Sequence, residues 1–288
     1  MIKTFEQLYN ACKNKSIFEA AIDSEVFEGE YSEYQIRLQA KKSLDAMKDA
    51  IKSGLQSTEL SPSGMTGDDC NKLQKRYKIS NSILGSTAQK IMTYALATSE
   101  QNLRMGTIVA CPTAGSCGIV PSVLIAFAED NNISETDQIN ALITAGEIGK
   151  LVANKMALAG AVGGCQAECG VASAMASAAL TQMRGGNVSQ IINSATLALK
   201  NILGLTCDPV CGLVEIPCVK RNPFLAIHAV TASELAMADI ISKIPPDEVV
   251  DAMEQTGALM SPLLKESSKA GLAKTKTAKA LKKEFYNY

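Results

Sequence analysis

SEYQIRLQAKKSLDAMKDAIKSG, residues 32–54, decides the fold class. Ser32 with Gln35 three residues later has the form of a capping box, in which each side chain bonds the other's backbone N–H. Ile36, Ala40, Leu44, Met47 and Ile51 then recur at helical spacing, and Gly54 offers a stop. The spacing predicts an amphipathic helix over the whole stretch.

Working outward, residues 56–69 form a turn-rich loop, and 81–103 resume a helical pattern through Ile83, Leu84, Ala88, Ile91 and Ala95. ACPTAGSCG at 110–118 is a second loop, and Pro121 behind it belongs in a first helical turn, so a helix starts near Ile119. Ser134 caps the next helix, and GAVGGCQAECG leads into VASAMASAALTQM before the Gly185–Gly186 stop. The small residues of 156–181 suit close packing of helix backbones. Residues 189–203 read as helical, Asn222 and Pro223 as the N-cap and first residue of another helix, and Pro245 and Pro246 as the opening of one more. The strand-like runs TIVAC at 107–111 and LVEIPCV at 213–219 are short and isolated. The fold class is all-α, a helical bundle with irregular Cys- and Gly-containing loops.

Composition narrows the function classes. The 288 residues are 47% hydrophobic, enough for a sizeable core. With 28 basic and 29 acidic side chains the net charge is −1, which gives no general attraction to nucleic acid or a membrane surface. MIKTFEQLYNACKNK lacks the order of a secretory signal, and no run of 18 apolar residues occurs, so the chain reads as cytoplasmic. The basic tail, 269–288, reads as a solvated helix face or a frayed end.

Nine cysteines carry the chemical interest in a chain with one histidine and no tryptophan. Burial as small apolar residues suits Cys12 and Cys70. It suits CDPVCGLVEIPC, 207–218, poorly, because an irregular loop with two prolines is a costly place to hide thiols unless something organises it. Cys165 with Cys169, and Cys207 with Cys211, offer four thiolates for zinc, although neither pair has the usual two-residue spacing. A cubane iron–sulfur cluster held by three cysteines instead leaves one iron open as a Lewis acid toward a hydroxyl or carboxylate oxygen.

SPSGMTGDD at 61–69, ACPTAGSCGIVPSVL at 110–124, GGCQAECGVASAMASAAL at 163–180 and CDPVCGLVEIPCVKRN at 207–222 together resemble the α subunit of iron–sulfur-dependent L-serine dehydratase. These motifs span about 61–240 of what the resemblance implies is a single α-type domain over 1–288. It implies an all-helical fold, a [4Fe-4S] cluster, no pyridoxal phosphate, and conversion of L-serine to pyruvate and ammonia by elimination of the β-hydroxyl. The positions matching the family's cluster ligands are Cys165, Cys207 and Cys218, with Cys169 and Cys211 as packing residues and Cys117 and Cys111 as weaker ligand candidates. KMALAGAVGGC, 155–165, departs from a serine-bearing stretch common in the family.

The resemblance also implies that the two glycine loops belong to the substrate pocket, with Ser63, Gly64, Thr66 and Gly67 from one and Thr113, Gly115 and Ser116 from the other; by themselves they read equally as plain turns or as a cradle of hydroxyls and amides for a carboxylate. Asn222 orients substrate or caps its helix. Lys220 and His228 are the candidates for the base, His228 standing in an apolar helix where a structural role is commoner; Lys220 and Arg221 also suit an anionic substrate or cluster. The family needs a second region, separate in some members, and nothing at 1–55 resembles it, so a β subunit is expected as partner. Other readings are an L-cysteine desulfidase of the same superfamily and a zinc-stabilised helical binding module without chemistry.

Overall fold

The computed structural model of the chain describes residues 1–29 and 31–286. Among these residues there are thirteen α-helices and no strand, as the helical patterning predicts. They are α1 (Phe5–Ala11), α2 (Ile17–Glu28), α3 (Glu33–Gln56), α4 (Asp69–Ile79), α5 (Ser86–Leu103), α6 (Ile119–Asn131), α7 (Glu135–Ala153), α8 (Gly160–Gly163), α9 (Val171–Met183), α10 (Val188–Lys200), α11 (Cys218–Met237), α12 (Pro246–Leu259) and α13 (Lys276–Tyr286). None of the described helices is long and apolar enough to cross a membrane.

Helix α9 is the axis of the bundle. It packs against α6, α7, α10 and α11, and every residue from Val171 to Thr181 is buried. A helix enclosed on all sides cannot show an amphipathic stripe; it needs small side chains all round so that four neighbours can approach. Its hydroxyls are satisfied inside the core: Ser173 donates to the Leu225 carbonyl at 3.0 Å, and Thr181 to that of Ser177 at 2.8 Å. The surrounding core is continuous from Ile2 to Met253.

The capping box at Ser32 forms, with Gln35 Oε1 accepting from the Ser32 N–H at 2.9 Å. Gly54 does not stop the helix, which runs on to Gln56. It marks the crossing with α5 instead, since a Cβ there would collide with the Ala97 backbone. Helix α5 begins at Ser86, later than its sequence pattern indicates, because Ile83 and Leu84 stand out in solvent rather than on a packed face. Helix α4 gives no strong signal in sequence. Its first turn is held by a residue 30 positions away: buried Glu100 accepts from the N–H groups of Asp69 and Cys70 at 2.7 and 3.2 Å.

Helix α11 starts at Cys218, five residues before Pro223, so Asn222 is inside the helix and does not cap it. The residues 107–111 and 213–219 pair with no strand; the bridges among the described residues are Leu60 with Gly67 and Cys207 with Lys265. The lysines of the tail do face solvent, but α13 is docked, with Ala278, Leu281 and Phe285 against Val210 and Cys211. Asn287 and Tyr288 of the tail lie outside the described residues.

Gly54→Ala tests the α3–α5 crossing. Ala has the better helix propensity by ~1 kcal/mol, yet the clash is with backbone and has no rotamer to relieve it. The variant is expected to lose about 1–3 kcal/mol in urea unfolding; equal or greater stability would show that the helices can separate freely.

Candidate metal centre and loops

Three buried cysteines are delivered by three different devices. Cys165 follows α8 and leads into a π-helical turn, Gln166–Gly170, at the entry to α9. Such widened turns interrupt the regular ladder and redirect side chains. Gln166, fully buried, fixes this turn: its backbone N–H donates to Leu205 at 3.0 Å, its Nε2 to Met253 at 3.0 Å, and its Oε1 accepts from Gly204 at 2.9 Å. Cys207 sits in extended backbone paired with the C-terminal segment, donating to the Leu264 carbonyl at 2.8 Å and accepting from the Glu266 N–H at 2.7 Å. Cys218 opens α11.

The Sγ atoms of Cys165 and Cys207 and a carboxylate oxygen of Glu168 all lie within 4.8 Å of one another. Cys169 Sγ is 3.7 Å from Cys165 Sγ. Thiols of Cys169 and Cys207 donating to Cys165, with the charge of Arg221, hold Cys165 well below the usual thiol range despite burial. The same hydrogen bond and burial push Cys207 up, and burial with the Cys165 charge pushes Cys218 up to about 12. Burial and then the Cys165 charge raise Glu168 to about 7. Arg221 is itself anchored, to Asp208 at 3.1 Å and to the Thr206 carbonyl at 2.9 Å.

A missing side chain lets the backbone come close to the centre. A Cβ at Gly160 would run into Glu168 Oε2 and come within 3.0 Å of Cys207 Sγ. A buried set of thiols, with that of Cys165 held below its usual range, suits a soft metal centre.

Of the residues expected in a substrate pocket, the 113–116 loop lies against this centre. A Cβ on Gly115 would stand 3.8 Å from Thr113 Oγ1 and 3.9 Å from Glu168 Oε1. Ser116 is turned into its own loop, donating to the Cys111 carbonyl at 3.2 Å. Asn222 joins loop to helix: Oδ1 accepts from the Gly118 N–H at 2.9 Å, and Nδ2 donates to the carbonyls of Gly115 and Cys218 at 2.9 and 3.0 Å. Its cap is therefore given to α6, whose N-cap residue is Gly118. Ser63 and Thr66 both donate to buried Glu215, at 2.9 and 2.6 Å. Gly64 and Gly67 shape that loop; Gly67 has φ +116°, with the backbone of Leu60 too close to admit a Cβ.

Other candidates lie apart from the thiols. Lys220 reaches out to Asp69 Oδ2 at 2.5 Å and is half exposed. His228 lies on α11 roughly 15 Å beyond Cys218 at ~1.5 Å per residue, and its Nε2 is 2.9 Å from the Ala198 carbonyl. Cys211 packs under α13, so Cys165, Cys169, Cys207 and Cys211 are not assembled as one tetrahedron. Cys111 and Cys117 are buried thiols raised to about 12 by burial. No sequence motif marks Glu168 or Glu215 as part of a site. The only hint for Glu168 is its place one helical turn after Cys165, and Glu215 finds its partners about 150 residues away.

The family model described as Serine dehydratase alpha chain matches residues 12–273. The chain is 42% identical, over 99% of its length and 96% of the relative's, to a probable L-serine dehydratase, alpha chain, of Bacillus subtilis. It is 37% identical to the L-serine dehydratase, alpha chain, of Peptoniphilus asaccharolyticus, over 99% and 98% of the two. L-serine dehydratase TdcG of Escherichia coli is 34% identical over 83% of this chain but only 56% of its own length.

Asn222 offers a direct test of how the loop is held. Asn222→Ala orphans the buried Gly118 N–H, an expected loss of about 1–3 kcal/mol in urea unfolding. Asn222→Asp should not restore it, because an oxygen then faces the carbonyls of Gly115 and Cys218. Wild-type stability in either variant would show that the bridge carries no load.

Proposed function

Because the chain belongs to the serine dehydratase alpha chain family, we propose that it is the cluster-bearing subunit of an iron–sulfur L-serine dehydratase, forming pyruvate and ammonia. The observation that carries this reading is the meeting of Cys165, Cys207 and Glu168 within 4.8 Å beside the 113–116 loop. Cys165, Cys207 and Cys218 would hold a [4Fe-4S] cluster, and the soft sulfur donors that meet there suit such a group. When bound, such a cluster supplies a Lewis-acidic iron that makes the β-hydroxyl of serine a competent leaving group.

The chain's own residues bind and orient. Thr113 and the glycine loop around Gly115 offer a hydroxyl and backbone groups close to the thiols, on the side where a small polar substrate would lie. The Glu168 side chain, facing both Thr113 and the thiols, suits the ammonium group of an amino acid. Burial of all three thiols keeps bulk water from the centre. Loss of the α-proton and the hydroxyl gives aminoacrylate, whose tautomerisation and hydrolysis need little from the protein. Lys220 and His228 are engaged by other partners, Asp69 and the Ala198 carbonyl, which speaks against either as the group that takes the α-proton.

Two relatives are called alpha chains, and the E. coli relative extends well beyond the matched part. Both facts support a separate partner subunit for this chain. Purified alone it should show little turnover, and co-expression with its partner should restore pyruvate formation.

Iron and acid-labile sulfide after anaerobic purification test the ligand set. Cys165→Ser, Cys207→Ser and Cys218→Ser are each expected to lose most of both, while Cys169→Ser and Cys211→Ser keep most. A colourless protein with zinc and no sulfide would overturn the proposal in favour of a metal-stabilised binding module. Faster release of sulfide from L-cysteine than of pyruvate from L-serine would favour a desulfidase.

A further inference from the structure

Glu215 lies in the cysteine loop three residues before Cys218, and only 5% of it is exposed. Its Oε2 is the meeting point of three hydroxyls from the other loop: Ser61 at 2.8 Å, Ser63 at 2.9 Å and Thr66 at 2.6 Å. Three hydroxyls on one buried carboxylate oxygen is more than a surface serine loop would gather by chance. The loop's internal bonds are Ser61 N–H to the Thr66 carbonyl at 2.8 Å, Gly64 N–H to that of Ser61 at 2.9 Å, Met65 N–H to Ser63 Oγ at 3.1 Å, and a 3.0 Å contact between the Ser61 and Ser63 hydroxyls. Gly64, at φ +72° with open space around it, adds no packing.

Hydroxyls read as substrate donors are thus already spent on a protein carboxylate, at the end of the segment that carries two of the proposed ligands. We infer that Glu215 is a positioning residue, which clamps the 61–67 loop to the cysteine loop so that a substrate reaching the thiols meets an ordered partner surface. This rests on the dehydratase reading for the identity of the substrate, but the clamp itself is a property of the chain. A flexible loop would have to be ordered at each binding event, so losing the clamp weakens binding more than it slows the bound complex.

The test uses the full chain co-purified anaerobically with its partner subunit, comparing wild type, Glu215→Ala and Glu215→Gln. Hydrogen exchange is read on peptides covering 60–67, with iron and sulfide content and L-serine kinetics on the same samples. In Glu215→Ala, exchange of the loop amides should be about tenfold faster, with iron and sulfide unchanged. KM for L-serine should rise about tenfold with kcat within about threefold of wild type. Glu215→Gln, which keeps an acceptor but not the charge, should fall between.

Unchanged exchange in Glu215→Ala would overturn the clamp. Faster exchange with unchanged KM would overturn its part in substrate binding, and loss of iron and sulfide in both variants would make Glu215 a support of the cysteine loop instead. If wild type turns over no serine, the dehydratase reading fails while the exchange data still decide the clamp. Should Glu215→Ala not fold, Ser61→Ala removes one donor with Glu215 in place, and the same smaller changes are expected; no change in its exchange counts against the proposal.

Discussion

The enclosure of α9 by four other helices constrains everything downstream of it. Close approach of backbones is possible only where side chains are small, and the run from Val171 to Thr181 supplies alanines and serines on every face. Just before it, a Cβ on Gly170 would come within 2.5 Å of Ile202. The π-helical turn that presents Cys165 and Glu168 is therefore seated on a rigid, fully packed helix entry, and Gln166 ties it to the chain leading to Cys207. The position of the first thiol is inherited from helix packing rather than from its own loop.

That placement sets an electrostatic problem. Burial disfavours charge on a thiol, and each thiolate disfavours the next. The protein alone stabilises one of them, Cys165, through neighbouring thiols and Arg221, while Cys169, Cys207 and Cys218 are driven the other way. A further positive centre is what would allow several of these sulfurs to be thiolates together, because a metal-bound thiol is deprotonated outright. The chain's one nearby guanidinium is already shared with Asp208.

How far this is legible in sequence depends on the range of the interaction. Helix α3 is evident from Ser32, Gln35 and a row of apolar residues, all local signals. Gly54 misleads because a helix crossing and a helix stop ask for the same residue. Asn222 misleads for a similar reason: it does act as a cap, but for α6, more than a hundred residues earlier. Helix α4 depends on Glu100, and the serine loop on Glu215, so neither announces its partner by spacing. The cysteine pattern points to a region where Cys165 and Cys207 meet, and its resemblance to a family implies three of the nine thiols as ligands. Glu168 stays hidden because a carboxylate one turn after a cysteine looks like any helix surface until the turn is seen to widen and face inward.

The C-terminal segment, poor in recognisable motifs, belongs to the centre on physical grounds. A loop broken by Pro209 and Pro217 cannot satisfy its backbone in a ladder of its own, and buried carbonyls and N–H groups must find partners elsewhere. They find them in the last 25 residues: Cys207 pairs with Leu264 and Glu266, Ser268 donates to the Pro209 carbonyl at 2.7 Å, and Tyr286 to that of Cys211 at 3.2 Å. The Leu272 N–H donates to Asp208 Oδ2 at 2.7 Å, leaving the other carboxylate oxygen for Arg221. The same segment thus orients the arginine that favours the Cys165 thiolate. Much of its contribution is made through backbone groups, at Leu264, Glu266 and Leu272, which tolerate many side chains, with Ser268 and Tyr286 adding hydroxyls, and this is how a stretch can support the centre while carrying so little of a signature.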